Sequence, residues 1–133
     1  MPTAILFYDV VLWVHVMAVI IGLGGIFLAP VLSSHEARRI LWAKYVTYGL
    51  LGVIVAGIYL ASDRDLWSEV WVTIPLVIAV VLGGLASGYF APKHAQLEAA
   101  PDAALAAQVR TMTFVAMGLV LLATFFMVTR LGA

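Results

Sequence analysis

Four long stretches without a charged residue constrain this chain more than any other feature of its sequence. They cover residues 10–35, 45–62, 70–92 and 111–129, and their lengths are 26, 18, 23 and 19 residues. A helix needs about 20 mostly apolar residues to cross the hydrocarbon core of a bilayer. The stretches are continuously apolar rather than alternating, so a β-barrel is not indicated. The pattern predicts an all-α integral membrane four-helix bundle, a single domain over 1–133 with helices near 5–29, 43–61, 69–91 and 111–130.

The composition supports the same fold class. Hydrophobic residues make up 65% of the chain and charged residues 11%, whereas soluble domains have roughly 45–50% and about 25%. A water-soluble globule of this size exposes too much of its surface for that composition, and disorder needs the opposite balance. Seven Lys and Arg balance seven Asp and Glu, so no basic stripe is available for nucleic acid. The absence of cysteine excludes disulfides, thiolate metal sites and cysteine nucleophiles.

Lys and Arg are distributed unequally between the two sides of such a bundle. Five occur in the connections after the first and third predicted helices, namely Arg38, Arg39, Lys44, Lys93 and Arg110. The opposite side has two, Arg64 and Arg130. Short loops rich in Lys and Arg stay in the cytoplasm. The split therefore predicts cytoplasmic first and third connections, with the N- and C-termini on the outer side.

Aromatic residues and prolines fit the predicted helix ends. Residues predicted at the membrane interfaces are Tyr8, Trp13, Trp67 and Trp71 on the outer side, and Trp42 and Tyr45 on the inner side. Pro30 and Pro92 are predicted to end the first and third helices, because proline cannot continue a helix normally. Pro101 and Asp102 precede an Ala-rich segment, which predicts a surface helix that continues into helix four.

Glycine spacing predicts where helices approach one another. Gly84 and Gly88 form a small-xxx-small pair, and Gly22 and Gly25 leave a similar notch. Small residues let helix backbones pack closely in lipid. We therefore expect a close helix contact at Gly84 and Gly88. The alternative is a glycine-lined cleft for a flat cofactor or a lipid headgroup.

His15 is the only ionisable side chain well inside a predicted span. It lies ten residues from the predicted outer end of helix one, near the bilayer midplane at about 1.5 Å per residue. Ionisable residues at that depth are costly and are candidates for function. A neutral imidazole can ligate haem iron, bind copper or relay a proton. The alternative is a structural histidine that is hydrogen-bonded to a backbone carbonyl or a threonine.

One chain cannot supply a two-histidine haem site around His15, because no other histidine lies at that depth. Met117, within about a turn of the same depth on predicted helix four, is the candidate second axial ligand. Methionine at such a position is also common packing material. His15 of a second copy, in a homodimer, is another candidate ligand.

Two further groups of polar residues are candidate metal sites. His35 and His94 are predicted at the cytoplasmic ends of helices one and three, where a divalent metal could bridge them. Such a site needs three or four ligands and the neighbouring cations oppose it, so a basic rim that touches anionic lipid headgroups is favoured. In the outer loop, Asp63, Asp65 and Glu69 either attract Cu²⁺ or Ca²⁺ or form a solvated turn.

The opening of helix one has a recognisable pattern. The run from Leu12 to Gly25 places His15 early in the helix and Gly24-Gly25 about nine residues later. This arrangement resembles the first helix of CopD-like copper-resistance membrane proteins and of HemJ-like protoporphyrinogen oxidases. The resemblance implies a bacterial inner-membrane four-helix bundle with a possible b-type haem on His15. The HemJ-like pattern also expects a basic residue within helix three, and 70–92 contains none, which argues against protoporphyrinogen oxidation.

Three functions follow from these features. The first is a small b-haem protein for electron transfer, with His15 as ligand. The second is a non-catalytic accessory subunit of a larger membrane complex, and the third is CopD-like copper transport. The sequence has no Gly-rich phosphate loop, no Ser/His/Asp set and no buried carboxylate pair, so hydrolases and nucleotide-using enzymes are not predicted.

Overall fold

The computed structural model describes residues 7–129, which form four long helices and no strand. Helix α1 spans Phe7–Leu28, α2 spans His35–Asp63, α3 spans Val70–Ala99 and α4 spans Ala103–Thr129. Each of the four is long and apolar enough to cross a membrane. The predicted all-α chain with four candidate spans is therefore confirmed for this part of the molecule.

Short connections make consecutive helices antiparallel neighbours. Helix α1 packs against α2, α2 against α3, α3 against α4, and α4 returns to touch α1. We call the end with the connections 29–34 and 100–102 the basic end, because five of the Lys and Arg residues lie in or near it. The opposite end, with the connection 64–69, is called the acidic end.

Three helices extend further at the basic end than predicted. Helix α2 begins at His35 rather than near 43, α3 ends at Ala99 rather than near 91, and α4 begins at Ala103 rather than near 111. The charge-free stretches mark the part of each helix that suits lipid, and the helices continue past it into polar surroundings. The expected Ala-rich surface helix before helix four is confirmed as the start of α4.

Side chains cap two of these extended helices. The Ser34 hydroxyl accepts a hydrogen bond from the Ala37 N–H at 3.1 Å, and Asp102 accepts one from the Leu105 N–H at 3.1 Å. Such caps satisfy N–H groups that have no partner within the helix. They allow α2 and α4 to begin outside the apolar region.

Pro92 does not end α3, contrary to the prediction. The segment just before it, Ala86–Phe90, is a π-helical turn, and the helix then continues to Ala99. Proline lacks the N–H that an α-helix would use at this point, and a π-helical turn accommodates such an interruption within a longer helix. Pro30 does lie just beyond α1, in the turn that follows Leu28.

Helices α1 and α2 make the closest backbone approach, at Gly22 and Gly49. A Cβ atom on Gly49 would lie 2.5 Å from the Cα of Gly22, and one on Gly22 would lie 2.8 Å from the Gly49 carbonyl carbon. No side chain fits between backbones at that separation. The expected contact at Gly84 and Gly88 is wrong, because a Cβ at either position would meet nothing within 4 Å.

The tightest core lies toward the basic end. There the rings of Trp42 and Phe90 stack with centroids 3.9 Å apart and planes 8° apart, and both side chains are fully buried. The predicted place of Trp42 at the membrane interface is therefore wrong, since its 0% exposure leaves nothing to touch a headgroup. Trp13, at 63% exposure, has the accessible ring that an interface residue needs.

The acidic half of the bundle is packed more loosely. All the buried residues of α1 lie in its second half, from Gly22 onward, and none occurs between Phe7 and Ile21. This looser half contains His15 and an internal cavity.

Candidate functional site

His15 lies on the face of α1 that looks into the acidic half of the bundle. Tyr8 and Leu12 precede it on the same face, because residues three, four and seven apart share one side of a helix. All three line a cavity of about 320 Å³ among the four helices. A cavity of that size falls within the range of small-molecule sites.

The wall of this cavity is almost entirely apolar. Helix α2 contributes Val53 and Gly57, α3 contributes Trp71 and Pro75, and α4 contributes Met127. The cavity is not sealed from outside, since the α1 side chains along its edge remain partly exposed. A hydrophobic ligand therefore has both room within the bundle and a route between the helices.

The imidazole of His15 is incompletely hydrogen-bonded. Its Nδ1 atom is buried and has no hydrogen-bond partner within residues 7–129. The ring also interacts with the backbone of Val53. An unsatisfied buried polar atom costs free energy, and Nδ1 of His15 is such an atom beside a cavity whose wall is mostly apolar.

Gly57 is a part of this site that the sequence reasoning missed. A Cβ at Gly57 would lie 3.5 Å from Cε1 of His15 and 3.6 Å from a methyl carbon of Leu76. Those are ordinary van der Waals distances, so alanine would fit and a larger side chain would enter the space beside the ring. The only signal for Gly57 in the sequence was a glycine on helix two near the depth of His15.

The structure does not bring the predicted ligand Met117 to this cavity. Met117 is partly buried and packs against the hydrophobic core. Met127, ten residues further along α4, lines the same cavity as His15. The difference is one of face rather than depth. The cavity also includes Leu23 and Leu82, further toward the basic end than His15, and α4 lines it through Ala123 and Met127, which are four residues apart on one face.

A cationic side chain lies beside the cavity at the acidic end. The guanidinium carbon of Arg64 is 4.0 Å from the centre of the Tyr8 ring, above its face. Arg64 also lies 3.7 Å from Asp63, measured from Nε to a carboxylate oxygen. Because Tyr8 lines the cavity, this arrangement places a positive charge next to its outer part.

The other proposed metal positions have too few ligands. His35 and His94 do meet, with their Nδ1 atoms 3.2 Å apart, but no third ligand joins them. Across residues 7–129, no group of three or more His, Cys, Asp or Glu residues could hold a metal ion. The acidic loop with Asp63, Asp65 and Glu69 is therefore best described as a solvated turn.

Comparison of the chain with models of protein families, with curated proteins and with solved structures found no match. The resemblance of helix one to CopD-like and HemJ-like proteins thus stays a prediction.

Proposed function

We propose that this protein binds a b-type haem in the cavity beside His15 and acts as an electron carrier in the membrane. The observation that supports this most is the imidazole of His15, whose buried Nδ1 has no hydrogen-bond partner in the described chain and which lines an apolar cavity. Haem is a flat, largely apolar group that needs only an axial nitrogen from the protein. When bound, it would supply a one-electron iron couple.

The ligand set favours haem over a bare copper ion. A porphyrin brings four nitrogen ligands of its own, so one histidine is enough to hold its iron. A copper ion must take all its ligands from the protein. Residues 7–129 contain no group of three His, Cys, Asp or Glu residues that could hold it, and the cavity adds only the thioether of Met127 to His15. Copper transport therefore has less support than haem binding.

Met127 is the second residue that would hold the haem in this proposal, because its side chain lines the same cavity as His15. Met117 and the His15 of a second copy are the alternatives from the sequence. Arg64, held over Tyr8 at the acidic end, offers a positive charge for a haem propionate. The described chain thus has candidate groups for the iron and for one of the two propionates of haem.

The membrane and its orientation form part of the proposal. We place the chain in the bacterial inner membrane with both termini outside, on the basis of the five-to-two distribution of Lys and Arg. In that orientation the haem cavity opens on the outer side. An electron partner would therefore approach from the periplasmic surface.

A spectroscopic experiment on the full chain tests the haem proposal. The protein is produced with added haem precursor, purified in mild detergent, and its absorbance recorded in oxidised and dithionite-reduced forms. We expect a Soret band in the wild type and its loss in His15→Ala, with helical content and elution volume unchanged. Met127→Leu should retain haem but lose the low-spin signature of a methionine ligand.

Met117→Leu is the matched control, since it removes the same thioether from the same helix outside the cavity. An unchanged spectrum is expected for it. If Met117→Leu, rather than Met127→Leu, alters the reduced spectrum, the second ligand is Met117. A wild-type protein that stays colourless after incubation with haemin would overturn the haem proposal. An accessory subunit would then be the better-supported function.

A further inference from the structure

A second cavity, of about 370 Å³, lies at the basic end of the bundle, away from His15. Four of its lining residues have nitrogen hydrogen-bond donors: the cationic Arg38 on α2 and Arg110 on α4, and the imidazoles of His35 on α2 and His94 on α3. No Asp or Glu is among the lining residues. Side chains with hydrogen-bond donors therefore dominate its polar part.

Arg38 is a half-buried cation without a carboxylate partner. Its Nε donates to the Ala29 carbonyl at 3.0 Å, and its Nη2 donates to the Leu32 carbonyl at 2.6 Å. Among residues 7–129, no Asp or Glu oxygen lies within 4.0 Å of its nitrogens. Carbonyl groups satisfy its hydrogen bonds but do not neutralise its charge, so an anion in the cavity would be favoured.

Two of the three acidic residues of the basic end have other roles, and the third, Glu36, is exposed in the first turn of α2 and does not line the cavity. Glu98 accepts a hydrogen bond from Arg39 at 2.7 Å outside the cavity, and Asp102 caps α4. Arg110, by contrast, is exposed and has no hydrogen bond or ion pair with any described residue. Its guanidinium is thus available to a ligand, and guanidinium groups bind phosphate in a two-pronged geometry.

The histidine pair adds donors deeper in the same cavity. The Nδ1 atoms of His35 and His94 are 3.2 Å apart, so one donates and the other accepts. His94 is 2% exposed, and its Nε2 has no partner within the described chain. When the Nδ1–H of His35 donates to His94, the proton of His94 is on Nε2, and a bound anion can accept a hydrogen bond from it and remove the cost of leaving a buried nitrogen unpaired.

The remaining wall of the cavity is apolar and reaches lipid. It comes mainly from α4, with Ala106, Ala107 and Phe114. Phe114 is 56% exposed on a helix that is apolar enough to span the membrane. The cavity therefore joins a cationic part to a lipid-facing apolar part. A ligand with a phosphate group and an acyl chain matches both, whereas a free phosphate ion uses only the first.

We propose that this cavity binds the phosphate headgroup of an anionic phospholipid, held by Arg38, Arg110 and the His35–His94 pair. Basic pockets between membrane helices recognise lipid headgroups in this way. The proposal does not depend on haem binding at His15. It uses different residues at the opposite end of the bundle.

A lipid titration of the full chain in neutral detergent tests the assignment. The melting temperature is followed while dioleoylphosphatidylglycerol, dioleoylphosphatidylcholine or inorganic phosphate is added, because a ligand that binds the folded state raises it. We expect phosphatidylglycerol to stabilise the wild type more than either other addition. Arg110→Gln should raise the phosphatidylglycerol concentration required by roughly tenfold, as expected for the loss of one charge-assisted contact.

Arg39→Gln is the control, because it removes the same charge from the same end but not from the cavity. It should leave the lipid titration close to that of the wild type. Equal weakening by Arg39→Gln and Arg110→Gln would show general surface attraction and overturn the proposal. Equal stabilisation by inorganic phosphate would overturn the lipid assignment and assign the site to the free ion. The proposal would also be overturned if neither phosphatidylglycerol nor inorganic phosphate stabilised the wild type.

Discussion

Gly49 is a position where the fold leaves no room for a side chain. The backbone of α1 at Gly22 fills the space into which a Cβ atom would project. Backbone atoms cannot rotate away as a flexible side chain can, so any added carbon must push the two helices apart. Close backbone approach of this kind is a main source of helix association in lipid.

We predict that Gly49→Ala destabilises the protein by about 1–3 kcal/mol, the usual cost of forcing extra carbon into a packed site. The Cβ would start 2.5 Å from the Gly22 Cα, so separation of α1 and α2 is the expected response. The free energy of unfolding in mixed detergent micelles measures this effect. Gly84→Ala is the control and should cost nothing sterically, because its Cβ meets no atom within 4 Å.

An unchanged stability for Gly49→Ala would show that α1 and α2 are further apart in solution than in this structure. The sequence could not distinguish Gly49 from Gly84, because spacing identifies a face of a helix but not the neighbour that the face meets. His15 was found from its chemistry alone. Met127 was missed because depth along the helices indicates a level in the bundle, not the face of α4 that lines the cavity.

At the scale of single elements, two π-helical segments shape the tightly packed core toward the basic end. They are Leu41–Val46 within α2 and Ala86–Phe90 within α3. The Thr47 hydroxyl supports the first by donating to the Trp42 carbonyl at 2.6 Å. Each segment carries one ring of the Trp42–Phe90 stack, so the local widening of both helices and the aromatic contact occur together.

The number of helices was predictable from the sequence, but these features of the helices were not. Hydropathy measures which residues lipid tolerates, so it predicted the four spans. It missed the polar first turns of α2, after Ser34, and the polar last turns of α3, before Asp102. Pro92 was predicted to end a helix by the usual rule for proline. The rule failed because the preceding π-helical turn lets the helix continue without that N–H.

We predict that Trp42→Ala lowers stability by about 3–5 kcal/mol, as expected for truncating a fully buried aromatic ring. The Phe90 ring would lose its stacking partner, and the two π-helical segments would lose the side chain that joins them. Thermal unfolding followed by circular dichroism provides the measurement. Trp13→Ala removes the same ring from an exposed position and should cost much less; equal losses would contradict the packing described here.

At the scale of the whole molecule, packing and charge divide the bundle into two different halves. The basic end has the tight glycine contact, the aromatic stack and most of the positive charge. The acidic end has the cavity beside His15 and a loosely packed first half of α1. Each end also has a cavity of its own: the one beside His15 suits an apolar cofactor, and the one lined by Arg38 and Arg110 suits a phosphate group.

The orientation of the basic and acidic ends in the membrane can be tested by labelling introduced cysteines, because the chain has no native cysteine. Ser33 lies in the exposed connection at the basic end, and Ser68 lies in the exposed connection at the acidic end. We predict that Ser68→Cys reacts with a membrane-impermeant maleimide in intact cells. Ser33→Cys should react only after the membrane is permeabilised, because loops near the basic end stay in the cytoplasm.

Each cysteine variant is the control for the other, since both replace an exposed serine in a connection between helices. The antiparallel arrangement links the result to the ends of the described chain, since Phe7 and Thr129 lie at the same end as Ser68. The reversed labelling pattern would place both termini in the cytoplasm and the His15 cavity on the inner side. Haem could still bind there, but its electron partner would then have to be a cytoplasmic one.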